Sequence, residues 1–265
     1  MRIIKRWFRN KYADYRIGKR LEIIRKELSK QLDGKIDLVK SGSRGQDSIY
    51  FVLVDHRKKA VLRLVNPFRK NKQVDKRMPY QLPPPEIRLQ REWENYQAGF
   101  AAGLTPKPLW HCEDALLCEY VPLQKMHDRL LLNPDEFWHL VTRATYGLSK
   151  LHACGLIHMD ASLANILADD DLEKFIFIDF EFLPNITLAR QQQIAYDYLR
   201  LLESSYKFMP AYLNSGYNVW LECLIANSAL DFKSTDLSPL LPALERLRSD
   251  QDLWPAIQKL FTGLD

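Results

Sequence analysis

Nowhere does the 265-residue chain carry the roughly eighteen consecutive apolar residues of a membrane span, and its N-terminus lacks the uninterrupted apolar core of a signal peptide. A cytoplasmic protein is the expectation. Cysteine is scarce: Cys112, Cys118, Cys154 and Cys223 form no C-x-x-C pair and no zinc spacing, which predicts reduced, partly buried thiols. The six histidines contain no H-E-x-x-H, so no structural metal is implied. Internal repeats and low-complexity tracts are absent as well. What is present is ordinary for a globular chain, with 46% hydrophobic and 27% charged residues and length for one large domain or two modest ones. The net charge of +5 is unevenly placed. Residues 1 to 30 hold eleven Lys or Arg against three acids, so the remainder is net acidic.

The most informative stretch is Leu156 to Phe182, LIHMDASLANILADDDLEKFIFIDFEF. His158 and Asp160 stand two apart, Asn165 follows five later, and two short apolar strands, Ile166 to Ala168 and Phe175 to Ile178, flank an acidic turn at Asp169 to Asp171. Such a hairpin brings Asn165 beside Asp179. An amide oxygen and a carboxylate at that point are hard ligands suited to Mg²⁺, which leans on one or two carboxylates plus phosphate oxygens. Phosphoryl transfer leaves the protein little covalent work beyond positioning a hydroxyl and neutralising phosphate charge, and Asp160 is the residue placed to orient the acceptor.

Upstream, the pattern changes twice. Ile4, Trp7, Phe8, Tyr12 and Tyr15, then Leu21, Ile24 and Leu28, recur at helical spacing, predicting a basic amphipathic helix with Gly18 as the point of any interruption. Two roles stay open for residues 1–30: docking on an anionic membrane surface, or packing on the domain that follows. Nucleic acid ranks last, because no groove-reading motif accompanies the charge. From Ile36 the chain reads as strands: Ile36 to Val39, Ile49 to Val54 and Ala60 to Val65, with a turn over Asp55 to Lys59. The loop SGSRGQDS offers Ser41, Gly42, Ser43 and Gly45 as small residues whose backbone N–H groups admit phosphate oxygens. A basic, proline-interrupted loop over Asn66 to Pro85 precedes a helix over Glu86 to Ala102. Strands follow over Lys107 to His111 and Ala115 to Val121. Helices are then expected over Pro134 to Cys154, with Phe137, Leu140, Val141, Ala144, Leu148 and Leu151 inward, and over Ile194 to Ser204, Trp220 to Ala229 and Leu240 to Leu260.

HMDASLAN and IDFE together resemble the protein-kinase-like superfamily, in particular its aminoglycoside phosphotransferase, choline kinase and lipopolysaccharide-core sugar kinase branches, over roughly residues 36 to 205. AVLRL, REWENYQAGFAAGLTPKPL and LLCEYVP are looser matches to the same branches. The resemblance implies an α+β, two-lobed fold: an antiparallel-sheet N-lobe over 33–121, a mainly helical C-lobe over 122–265, and the basic segment 1–32 ahead of both. It implies ATP and Mg²⁺ as cofactors, Asp160, Asn165 and His158 as catalytic residues, and Asn165 and Asp179 as metal ligands. Arg63 stands where these enzymes carry the lysine that holds the α- and β-phosphates, with Glu92 or Glu94 as its partner. Glu119 and Val121 fall where hinge backbone groups meet the adenine edge, and Asp197 where a helix aspartate braces the catalytic loop.

The departures are informative. Ser162 and Ala164 lack the basic residues typical of serine/threonine and tyrosine kinases, Met159 replaces the arginine that reads activation-loop phosphate, and no Ala-Pro-Glu follows Asp179. The expected acceptor is therefore a sugar hydroxyl of a cell-envelope glycan or glycolipid, met in the cytoplasm or at the inner membrane face. An aminoglycoside- or choline-like small molecule, a protein serine, and a nucleotide-binding pseudokinase scaffold are the alternatives.

Overall fold

The structure, a computed structural model of the chain, describes residues 2–41, 47–69 and 73–261, with side chains described throughout except at 2–7, 9 and 10. It is α+β. Its elements begin α1 (Arg2–Leu28), β1 (Ile36–Lys40), β2 (Ser48–Val54), β3 (Arg57–Leu64), β4 (Tyr80–Gln81), α2 (Pro85–Phe100), β5 (Pro108–Cys112) and β6 (Ala115–Glu119). They continue β7 (Gln124–Lys125), α3 (Met126–Leu132), α4 (Phe137–Ala153), β8 (Ile166–Ala168), β9 (Phe175–Phe177), β10 (Leu183–Pro184), α5 (Arg190–Tyr206), α6 (Tyr217–Asn227), α7 (Glu245–Arg248) and α8 (Leu253–Leu260). Two compact units result: Met1–Gln73 with Pro84–Trp93 and Pro106–Pro122, and Val74–Pro83 with Glu94–Thr105 and Leu123–Asp265. The segments 74–83 and 94–105 thus belong with the chain after 122, which sequence order alone does not reveal.

In the first unit, five antiparallel strands stand in the order β1-β2-β3-β6-β5. The β2–β3 turn is tighter than expected: Asp55 and His56 alone span it, at φ of 47° and 66°, the left-handed pair that a two-residue hairpin with right-handed twist requires. Period-two alternation buries Tyr50 and Val52 of β2 and Ala60, Leu62 and Leu64 of β3 on one face. Onto that face packs α1, through Ile17, Ile24 and Leu28. The helix runs unbroken through Gly18. Burying those three side chains contributes about 1.5–3 kcal/mol each, which outweighs the roughly 1 kcal/mol that a mid-helix glycine costs. Arg20 adds a tie to the β5–β6 turn, donating to both carboxylate oxygens of Asp114 at 2.8 and 2.6 Å.

In the second unit, α4 buries Phe137, Leu140, Val141, Ala144, Leu148 and Leu151. It begins later than the sequence suggests, because Pro134–Glu136 forms a separate 3₁₀ turn. Its end is a Schellman motif: Gly155 (φ 79°) donates to His152 O at 2.9 Å and Leu156 donates to Leu151 O at 3.2 Å. That turn delivers the chain to His158. Strand β8 pairs β9 across a turn in which Asp169 Oδ1 accepts the N–H groups of Glu173 and Lys174. The basic loop is not featureless, since β4 pairs with β10. The expected helix over Leu240 to Leu260 is instead a 3₁₀ segment, Ser238–Ala243, followed by α7 and α8. Pro242 lies within the first piece, and the polar stretch Ser249 to Asp252 separates the other two.

Candidate active site

The second unit gathers two residues of the long motif, His158 and Met159, around one buried acid. Asp197, on α5, is fully buried; its Oδ2 accepts the His158 N–H at 2.8 Å and Oδ1 accepts the Met159 N–H at 2.7 Å. The His152 ring lies 3.0 Å from Oδ2. A carboxylate without water would cost several kcal/mol unless met by such donors. What it holds is a strained turn, with Met159 at φ 64°.

His158 is fully buried and stacks on Phe180, with ring centroids 4.5 Å apart. Its Nδ1 accepts the Asp160 N–H at 3.3 Å, which leaves Nε2 to donate to Ile178 O at 3.0 Å. Both nitrogens are therefore spent inside the protein. The role expected of it as a catalytic group becomes one of joining the Asp160 loop to the Ile178–Asp179 segment. Ile178 N–H in turn donates to Asn165 O at 3.0 Å.

Asn165 donates from Nδ2 to Asp160 O at 3.0 Å, with Asp160 Oδ2 at 3.5 Å. Among the described residues nothing donates to its Oδ1, the hard oxygen a cation would seek. Asp179 is half-buried at φ 70°, and its N–H donates to the buried Tyr96 hydroxyl at 3.3 Å. Among the described residues no group of three His, Cys, Asp or Glu is poised to hold a metal by itself. The Asn165 amide oxygen and the Asp179 carboxylate are hard donors that could hold a Mg²⁺ shared with phosphates rather than caged by protein alone.

Asp160 has a partner that the sequence reading did not name. Arg200 donates from Nε and Nη2 to Asp160 Oδ1, at 3.1 and 2.9 Å. Burial disfavours the Arg200 charge, but Asp160 together with Tyr196 and Tyr80 outweighs it and holds the guanidinium above its usual pKa. Beside this pair, Tyr80 of β4 packs against Phe182 and Tyr196, at 4.7 and 6.0 Å. Burial pushes both tyrosine hydroxyls up from the usual phenol range; Arg200 opposes and Asp160 reinforces, so both rings lie in the field of the pair. The sequence signal for Arg200 is its i+3 spacing from Asp197, which puts both on one face of α5.

The first unit holds an ionic cluster of its own. Arg63, on β3, pairs through Nη1 with Glu92 and donates from Nε to Asp47 Oδ2 at 2.8 Å. Of the two carboxylates expected for it, Glu92 is the partner and Glu94 is exposed. Arg88 donates to the other oxygen of Asp47 at 2.6 Å; Asp47, Glu92 and Arg88 are buried and Arg63 is half-buried. Arg69, in the basic loop, has a side chain only 7% exposed, donating to Asp47 O at 3.0 Å and pairing with Asp14. Ser41 donates its N–H to Ile49 O at 2.9 Å, which extends the β1–β2 ladder. Gly42, Ser43 and Gly45 lie outside the described residues. Glu119 ends β6 with its N–H donating to Lys107 O at 2.9 Å, and Val121 is half-buried two residues on.

A scan against protein-family models finds no match to the chain, and a search of curated proteins finds no similar one.

Proposed function

We propose that the chain is an ATP- and Mg²⁺-dependent phosphotransferase of the two-lobed protein-kinase-like type, acting on a sugar hydroxyl of a cell-envelope glycan or lipopolysaccharide-type glycolipid in the cytoplasm. The observation that carries this is the Asp197 brace. One buried carboxylate pins the strained His158–Met159 turn, and His158 ties that turn to Ile178, so Asp160, Asn165 and Asp179 are held by a single network. Short motifs recur by accident; a hydrogen-bonded constellation built from the same letters is far more demanding.

In this reading Asp160 orients the acceptor hydroxyl and takes its proton as the oxygen bonds to the γ-phosphorus and the bond to ADP breaks. Bound Mg²⁺ would neutralise phosphate charge, held by Asn165 Oδ1 and the Asp179 carboxylate. Arg200 fixes one oxygen of Asp160 and leaves the other toward Asn165. Its charge also cancels that of Asp160, which weakens the case for a cationic acceptor such as an aminoglycoside or choline, since such ligands are drawn by uncompensated acid.

A specific observation supports the pseudokinase alternative. Arg63 is gripped by two buried carboxylates, Asp47 and Glu92, and a guanidinium so engaged is less available to phosphates. Thermal-shift titration with Mg·ATP followed by a phosphate-transfer assay separates the two. An active enzyme should lose at least about a hundredfold in turnover with Asp160→Ala while still binding nucleotide, and Asp179→Ala should weaken Mg·ATP binding too. Full turnover in the Asp160 variant would remove that residue from the mechanism, and nucleotide binding without any turnover in the native chain would favour the scaffold.

A further inference from the structure

Helix α1 has two contrasting long faces. At 100° per residue, Ala13, Ile17, Ile24 and Leu28 fall on one side and are buried against the sheet of the first unit. Opposite them fall Phe8 and Tyr15, 62% and 82% exposed, and on the adjoining flank Tyr12 and Ile23, 54% and 50% exposed. Three aromatic rings exposed to this degree on one helix, beside a set of charges nearly all of one sign, call for an explanation.

The charges on that outer face are as one-sided as the rings. Lys11, Arg16, Lys19 and Lys26 are exposed among them, against Glu22 alone. Arg20 is paired with Asp114, and Asp14 with Lys40 and Arg69. Arg16 lies over the Phe68 ring at 4.6 Å and donates to the Tyr12 hydroxyl at 2.7 Å, which orders part of the stripe. From Phe8 to Lys26 it extends about 27 Å at 1.5 Å per residue. The same helix carries four further basic residues, Arg2, Lys5, Arg6 and Arg9, in its sequence.

We infer that the outer face of α1 is a docking surface for an anionic lipid bilayer. A headgroup layer takes both components together: aromatic rings seat at the interface while lysines and arginines reach anionic headgroups. A nucleic acid would use the charge and leave most of the rings idle, and a second copy of this chain would oppose one basic face to another. The surface is independent of the phosphotransfer reading and stands whether or not the chain is an enzyme.

The test is vesicle flotation with the full-length chain, using phosphatidylcholine vesicles with and without about 30% phosphatidylglycerol, at low and raised salt. Flotation is expected only with the anionic vesicles, falling as salt shortens the screening length below ~10 Å. Two surface variants separate the components: Lys19→Glu with Lys26→Glu, and Tyr12→Ser with Tyr15→Ser. Each should weaken vesicle affinity at least about tenfold, while circular dichroism and melting temperature stay unchanged because all four side chains are exposed. Equal binding to neutral and anionic vesicles, or none to either, overturns the inference. So does loss confined to the charge variant, which would mean unspecific attraction of the kind nucleic acid also gives. A concentration-dependent dimer abolished by the aromatic variant would assign the face to a second copy of the chain instead.

Discussion

Arg200 is the residue whose removal separates positioning from binding. Its guanidinium holds a single oxygen of Asp160 through two nitrogens, so it sets the direction of the other oxygen without belonging to the nucleotide ligands. Arg200→Met should lower kcat about ten- to a hundredfold, the scale expected when a reacting group loses its alignment, with Mg·ATP binding unchanged by thermal shift. Arg200→Lys should recover little, because a point charge cannot reproduce two donors in a fork. Added guanidinium ion should restore part of the Met variant's rate, which a purely structural arginine would not allow. An unchanged kcat in Arg200→Met would free Asp160 of any need for it. Asp160, Asn165 and Asp179 were legible in the sequence because one short loop and one hairpin bring them together. Arg200 was not, since 40 positions separate it from Asp160 and only its i+3 relation to Asp197 hints at the contact. Asp47 was hidden similarly: it closes a small-residue loop, and nothing local announces that Arg63 and Arg88 converge on it.

Among the elements, α1 shows how tertiary burial overrides local propensity. Gly18 invited an interruption, yet the helix continues because Ile17, Ile24 and Leu28 are anchored on both sides of it. A methyl group built at Gly18 meets nothing within 4 Å, and the helical backbone there suits any L-residue. Gly18→Ala should therefore stabilise the first unit by about 0.5–1 kcal/mol, raising the melting temperature by about 1–4 °C for a chain of this size. A lower melting temperature would mean that the helix needs a glycine's freedom there. The strands and α4 were legible because alternation and 3.6-residue spacing persist over their whole length. Leu240 to Leu260 was misread because scattered leucines at near-helical intervals fit consecutive short turns equally well, and Pro242 carried the contrary signal. The β4–β10 pair, two residues on each strand, is too short for any periodicity to reveal.

At the scale of the whole molecule, the acceptor is what the proposed reaction leaves most open, and the path after Asp179 bears on it. A peptide acceptor needs an extended platform beyond the metal-binding aspartate. Here β10 is already paired with β4, and five residues later α5 begins at Arg190. Little chain remains to bind a peptide in extended form. A sugar ring needs only a pocket, and Tyr80, half-buried near the Asp160–Arg200 pair, offers an aromatic wall of the sort a pyranose face packs on. The described part of the basic loop contributes less than its sequence promised, because Arg69 pairs with Asp14 and Arg77 with Asp75. The acceptor is therefore expected to be recognised chiefly by shape, aromatic contact and hydroxyl geometry. Incubating the protein with labelled ATP and a mixture of envelope-lipid extract, small-molecule extract and denatured proteome, then fractionating the label, tests this directly. Label should enter the glycolipid fraction and vanish with Asp160→Ala. Entry into cationic small molecules would mean that Arg200 does not screen Asp160 as the geometry implies. Label confined to protein, and lost in the Asp160 variant, would show that five residues are platform enough and would restore the protein-kinase alternative.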